Sequence, residues 1–198
     1  LLNVMSIGLM LRHKDDAVIW RGPLKHGVIR QFLKDVDWGP LDYLVIDAPP
    51  GTGDEPLAVA QLVEGADGAV IVTTPQEVAV QDVRRCVVFC RKVGLPVLGV
   101  VENMSGFRCP RCGERVQIFG ADGGRALAKE MEIPFLGTIP IDPEVVASGD
   151  QGKPVVEAHP EGKTADSFAR IITGLLDRLQ PPVTGREAPR AAASASSR

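Results

Sequence analysis

Apolar residues come in short, nearly continuous runs separated by polar stretches with helical spacing. Four runs rich in β-branched residues predict buried strands: "NVMSIGLML" at 3–11, "LDYLVIDAP" at 41–49, "GAVIVTTP" at 68–75 and "PVLGVVENM" at 96–104. A shorter run, "PFLGTIP" at 134–140, predicts a fifth. Runs without polar alternation suit parallel strands covered on both faces. The intervening segments, roughly 22–36, 54–64, 76–93, 120–131 and 164–179, predict helices. Strands and helices in alternation imply βαβ units and a doubly wound sheet. No internal repeat is visible. Residues 1–180 therefore read as one domain. Residues 181–198, "PPVTGREAPRAAASASSR", replace core pattern with Pro, Ala and Ser and predict a disordered tail.

Composition changes this picture little. The chain has 198 residues, 44% hydrophobic and 24% charged, which suffices for one sizeable core. Its formal charge of −3 and the lack of a basic stripe argue against nucleic acid as a partner. No run approaches the roughly 20 apolar residues of a membrane helix, so no membrane partner is expected. No secretory signal is visible, and the chain opens on Leu1, consistent with a natural N-terminus further upstream. Four cysteines in a chain of this size do not form a disulfide framework. They point to a reducing, cytoplasmic setting.

Two of those cysteines carry candidate chemistry. "GFRCPRCGE" at 106–114 sets Cys109 and Cys112 two residues apart, between glycines and polar neighbours. One CxxC supplies two thiolates, whereas tetrahedral zinc or a four-iron cluster takes four. No second CxxC exists, and His13, His26 and His159 are scattered. A twofold dimer would remove the shortage, because the same loop from each subunit could meet at the axis. A bridging cluster, structural zinc and a redox dithiol all remain open on spacing alone. Cys86 and Cys90, four apart on a predicted helix, read as small buried apolar residues.

"YLVIDAPPGTGDE" at 43–55 is the second candidate. A hydrophobic strand ends in Asp47, a Pro/Gly turn follows, and Asp54 opens a helix. In nucleoside-triphosphate hydrolases such an Asp reaches the Mg²⁺ shell, and the following glycine brings an N–H near the γ-phosphate. An ordinary βα turn with a capping Asp uses the same residue types.

Taken in order, "IWRGP", "DYLVIDAPPGTGD", "TTPQEVAVQDVRR", "GVVENMSGFRCPRCGE", "IFGADGG" and "PFLGTIPIDP" resemble the Mrp/ApbC-type iron–sulfur cluster carrier ATPases. These are relatives of MinD and the nitrogenase iron protein in the deviant P-loop class. The resemblance spans about residues 3–179. It implies an α/β, doubly wound, mostly parallel sheet of the P-loop NTPase (SIMIBI) type. It also implies a homodimer sharing a labile [4Fe–4S] cluster between the two Cys109/Cys112 pairs, and apo iron–sulfur proteins as recipients. ATP and Mg²⁺ would serve the full-length protein, with Asp47 organising Mg²⁺ and water, Gly51 reporting on the γ-phosphate and Asp54 positioning water or coupling the loop to the dimer. Asn103 would read the adenine edge, and Pro140 and Asp142 would approach base or ribose. The competing readings are a strand-end turn residue for Asn103 and a capped helix start for Pro140 and Asp142. Arg21 in "IWRGP" faces either a partner, a nucleotide or solvent. "IFGADGG" fits a tight turn into a helix better than a second phosphate cradle.

One family element is missing from these residues. Members carry a first strand and a KGGVGKS phosphate loop, and no such segment occurs here. "EAHPEGKTA" at 157–165 imitates only the motif's end, with Glu157 where the first glycine belongs. Thr164 is expected instead to N-cap the last helix. Without its Walker A loop the chain is expected to bind ATP weakly, so its own hydrolase activity stays open. Loss of an interior strand is also expected to leave two sheet edges unpaired and the core open. The alternatives to a carrier are a MinD-like partitioning ATPase and a zinc-binding, non-catalytic remnant.

Overall fold

The computed structural model describes residues 2–13, 15, 22–109 and 111–179. They form two compact units, one up to Ala66 and one from Asp67 onward.

In the first unit, helices α1 (Gly22–Lys34) and α2 (Asp54–Leu62) pack against each other. Lys25 of α1 binds Glu55 of α2 at 2.5 Å. Ala58 and Leu62 are buried on α2. Neither predicted strand of this half forms. Residues 3–11 contain a 3₁₀ turn at Ile7–Met10, capped by the Ser6 hydroxyl, and residues 41–49 join no sheet. Neither segment has a strand neighbour among the described residues to satisfy its N–H and C=O groups. Tyr43, Val45 and Ile46 consequently remain exposed, Val45 at 87%. Arg21 and the predicted tail lie outside the described residues.

The second unit holds the sheet. Strands β1 (Ala69–Thr73), β2 (Val97–Glu102) and β5 (Phe135–Thr138) are parallel, in the order β1-β2-β5. In the chain between β2 and β5 comes a separate short antiparallel hairpin, β3 (Phe107–Arg108) with β4 (Arg115–Val116). Helix α3 (Glu77–Lys92) follows β1, and α4 (Gly123–Glu130) precedes β5. Val80, Val83, Val87 and Cys90 recur at helical spacing on one face of α3. Glu77 in its first turn and Arg91 and Lys92 in its last suit the helix dipole. That face and Ala128 of α4 close over Ile71 and Val100 of the sheet, forming the core. After α5 (Pro143–Asp150) and α6 (Val155–Ala158), α7 (Lys163–Leu176) covers β5 and β2 from the other side, burying Ile171. A parallel sheet layered by helices on both faces matches the predicted α/β class.

Cys90 belongs to this core and Cys86 packs beside it, as their helical spacing suggested. Burial, followed by the nearby Cys86, pushes the Cys90 thiol pKa up, so this cysteine stays protonated and apolar.

Candidate functional site: a two-thiol hairpin at the sheet's carboxyl edge

The parallel ladder does not stop at the ends of the strands. Ile139 N–H donates to Glu102 O at 2.9 Å, Ser105 N–H to Ile139 O at 2.9 Å, and Ile141 N–H to Gly106 O at 2.8 Å. Phe107 and Ile141 then form a parallel bridge. The chain leaving β2 is therefore stitched to the chain leaving β5 until the cysteine hairpin begins. This is the edge where open α/β sheets collect ligands.

Glu102 locks the base of that extension. It is 0% exposed, although it ends a strand. One carboxylate oxygen accepts the Ser105 hydroxyl and the other the Gly124 N–H, each at 2.6 Å. Gly124 lies in the first turn of α4, so an internal carboxylate meets the N–H groups exposed at that helix start. A Cβ on Gly124 would stand 2.9 Å from Thr73 Cγ2 and 3.2 Å from Glu102 Cβ, so the close approach requires glycine. The "GADGG" segment thus acts as a tight turn into a helix, as its composition suggested. Sequence reasoning passed over Glu102. Its signal was a carboxylate ending an otherwise apolar run, "VLGVVE".

At the hairpin tip, Cys109 N–H donates to Glu114 O at 2.9 Å and Gly113 N–H to Cys109 O at 2.8 Å. Gly113 takes φ +76, a left-handed turn that glycine adopts without strain. The chain thereby curls around the Cys109 sulfur. The Cys112 backbone N–H, the Arg111 N–H and the Cys112 thiol all donate to it. They hold the Cys109 pKa below the usual thiol range, outweighing the opposing effect of burial. Cys112 is exposed and Cys109 half-buried. Among the described residues, no group of three or more His, Cys, Asp or Glu side chains could hold a metal ion. Of the histidines, His159 pairs with Glu144 at 2.7 Å. The donor set is therefore two thiols, one with its pKa lowered by neighbouring hydrogen bonds, which is chemically suited to soft metals and incomplete by two ligands.

The predicted nucleotide contacts divide between the units. Asp47 is exposed, Gly51 takes φ +94, and Asp54 is the first residue of α2; all three belong to the first unit. Asp54 Oδ2 also lies where a Cβ on Gly22 would come within 2.6 Å. Asn103, Pro140 and Asp142 belong to the second unit, on the two segments that carry the hairpin. Asn103 N–H continues the ladder to Thr73 O at 2.7 Å, and its side chain accepts the Met104 N–H at 2.8 Å. Asp142 caps α5 by accepting Glu144 N–H at 3.0 Å, and its other oxygen accepts the Thr164 hydroxyl at 2.5 Å. That last bond corrects the expectation for Thr164. Gly162 is the N-cap of α7, while Thr164 lies inside the helix, 2% exposed, and donates instead of capping.

Comparison with known proteins gives the chain's relatives. A cytosolic Fe–S cluster assembly factor NUBP2 homologue from Trichoplax adhaerens is 54% identical over 177 residues, covering 88% of this chain and 67% of that protein. Among solved structures, a nucleotide-binding protein from Archaeoglobus fulgidus in complex with ADP is 46% identical over 67% of this chain, with TM-score 0.59. The cell division ATPase MinD of Pyrococcus furiosus is 26% identical over 81% of this chain, with TM-score 0.55. The chain spans only 54% and 63% of the lengths of those two proteins. The ParA family model described as NUBPL iron-transfer P-loop NTPase matches residues 1–176, and by this match together with the Trichoplax relative the chain belongs to that family.

Proposed function

We propose that this chain is the cluster-holding part of a cytoplasmic iron–sulfur carrier. Two copies pair through their cysteine hairpins, hold one [4Fe–4S] cluster as cargo on both Cys109/Cys112 pairs, and pass it to apo iron–sulfur proteins. One observation carries this reading: a two-thiol knuckle at the tip of a short hairpin, for which the described residues supply no third ligand. A second copy supplies what is lacking at no cost in new sequence. A shared site near solvent also releases its cargo more easily than one enclosed by a single chain.

In the full-length protein the ATP cycle acts on this dimer. Asp47 organises Mg²⁺ and water, Gly51 reports on the γ-phosphate, and Asp54 positions water or couples the loop to the dimer. Asn103, Pro140 and Asp142 approach the base or ribose. The ADP-bound Archaeoglobus protein supports a nucleotide in this fold. Likeness to Pyrococcus MinD also fits a partitioning ATPase, but that role gives Cys109 and Cys112 nothing to do.

Anaerobic reconstitution of the chain with iron and sulfide tests the proposal. Expected are a brown protein with charge-transfer absorption, about four irons per two chains, and a shift from monomer to dimer. Cys109→Ser and Cys112→Ser should each abolish the colour and the shift, whereas Cys86→Ser should retain both. A colourless dimer that keeps one zinc per two chains would replace the carrier with a structural zinc protein.

A further inference from the structure

The hairpin that carries Cys109 and Cys112 is charged in a way its own fold does not require. Arg108 and Arg115 stand directly opposite each other across the β3–β4 ladder. Like charges in that position destabilise a hairpin. Arg111 lies between the two cysteines, and all three arginines are exposed. Glu114 is the sole acidic residue from Ser105 to Gln117, so this segment is cationic within a chain of formal charge −3. The ion pairs formed among the described residues engage Lys25, Arg84, Arg85, Arg125 and His159, and none of these three arginines. The Arg108 guanidinium is folded back over the tip: a Cβ on Gly113, the residue after Cys112, would stand 3.4 Å from Nη2 and 3.6 Å from Nε. Local repulsion is thus maintained where a neighbouring anion would relieve it.

We infer that Arg108, Arg111 and Arg115 form a cationic collar that recognises an anionic metal–thiolate centre on Cys109 and Cys112. The inference rests on the carrier reading and names what else in the chain binds the cargo. Each cysteine that ligates a metal does so as thiolate, and four thiolates around zinc or a four-iron core leave a net negative charge. Guanidinium groups at the rim offset that charge and donate hydrogen bonds toward the ligating sulfurs. The same electrostatics makes pairing conditional: two empty hairpins repel, and two hairpins around an anionic centre attract.

The test uses the metal-free full chain and Zn²⁺ alone, in competition with a chromophoric chelator. The triple variant Arg108→Gln, Arg111→Gln, Arg115→Gln is expected to bind zinc roughly tenfold more weakly at low salt. The corresponding triple Lys variant should stay near the unaltered chain. Raising KCl from about 0.05 to about 0.5 M should weaken the unaltered chain and leave the Gln variant almost unchanged. Far-ultraviolet circular dichroism that matches across the three proteins shows the fold is kept. Equal zinc affinity in the Gln variant and the unaltered chain at low salt, or no recovery with Lys, overturns the collar. Failure of the carrier reading looks different: no iron–sulfur chromophore forms, while the arginine dependence of zinc binding persists.

Discussion

At the scale of single residues, the Glu102 side chain ties the chain leaving β2 to the start of α4, beneath the backbone ladder that carries the cysteine hairpin. It spans from the end of β2 to the first turn of α4, and nothing but protein surrounds its side chain. Hydrogen bonds to carboxylates are the stronger kind, and a buried N–H left without an acceptor costs the full desolvation of that group. Glu102→Ala strands the Gly124 N–H and the Ser105 hydroxyl together and should destabilise the fold by about 3 kcal/mol. Glu102→Gln can keep its carbonyl oxygen on the Gly124 N–H and turn its NH2 toward the Ser105 hydroxyl, which then accepts, so only the charge assistance is lost and about 1 kcal/mol is expected. Urea unfolding followed by circular dichroism measures both. Equal stability of all three proteins would mean that the carboxylate is dispensable. Sequence could not rank this residue, because one charged side chain after an apolar run looks like an ordinary strand end. Its role comes from Gly124, 22 positions further on. Cys109 and Cys112 were legible for the opposite reason, since everything that shapes their knuckle lies within a few positions of them.

At the scale of elements, five helices were legible, while α5 and α6 fell outside the predicted segments. Apolar residues at a spacing of three and four placed α1, α2, α3, α4 and α7 to within a few residues, because a helix satisfies its backbone from within. β1, β2 and β5 were legible as well, since each has a parallel neighbour among the described residues. Residues 3–11 and 41–49 carry an equally strong apolar pattern and form no strand, so the pattern alone does not decide pairing. Between helices, long-range ion pairs add a pH dependence. Arg84 of α3 holds Glu130 of α4 through both guanidinium nitrogens, one of them at 2.8 Å. The hydrogen bond from Arg84 pulls the Glu130 pKa below the ordinary carboxylate range, and Lys25 does the same to Glu55 in the first unit. A carboxylate whose folded pKa is depressed adds stability above its unfolded pKa and loses it as pH falls through the folded value. Both clamps are therefore intact at neutral pH and fade on acidification below the usual carboxylate range. Arg84→Gln should flatten the acid side of the unfolding midpoint against pH. High salt should flatten it in the unaltered chain, because both pairs are partly exposed. An unchanged acid limb in the variant would assign the acid sensitivity to other groups.

At the scale of the whole molecule, the question is what the chain can do with a nucleotide. Phosphate binding in this class depends on a loop whose N–H groups and lysine surround the phosphates. Within these residues the sequence Gly162-Lys163-Thr164 is the nearest approach to such a loop. The structure commits it elsewhere: Lys163 and Thr164 begin α7, and the Thr164 hydroxyl is buried against Asp142. Asp142 in turn spends both carboxylate oxygens on its cap and on Thr164. The helix start at Gly123 and Gly124, a second place where phosphate could sit, already faces Glu102. A base or ribose contact of the kind proposed for Asn103 and Pro140 would be weak without a phosphate cradle. Isothermal titration of the 198-residue chain with MgATP should therefore give a dissociation constant no tighter than millimolar, with ATP and adenosine nearly indistinguishable. Adding a strand and a KGGVGKS loop ahead of Leu1 should restore micromolar binding and separate the two ligands, because only the triphosphate gains from the loop. Micromolar MgATP binding by the unaltered chain, lost on Asp47→Ala, would show instead that the Asp47–Asp54 turn can bind phosphate without that loop.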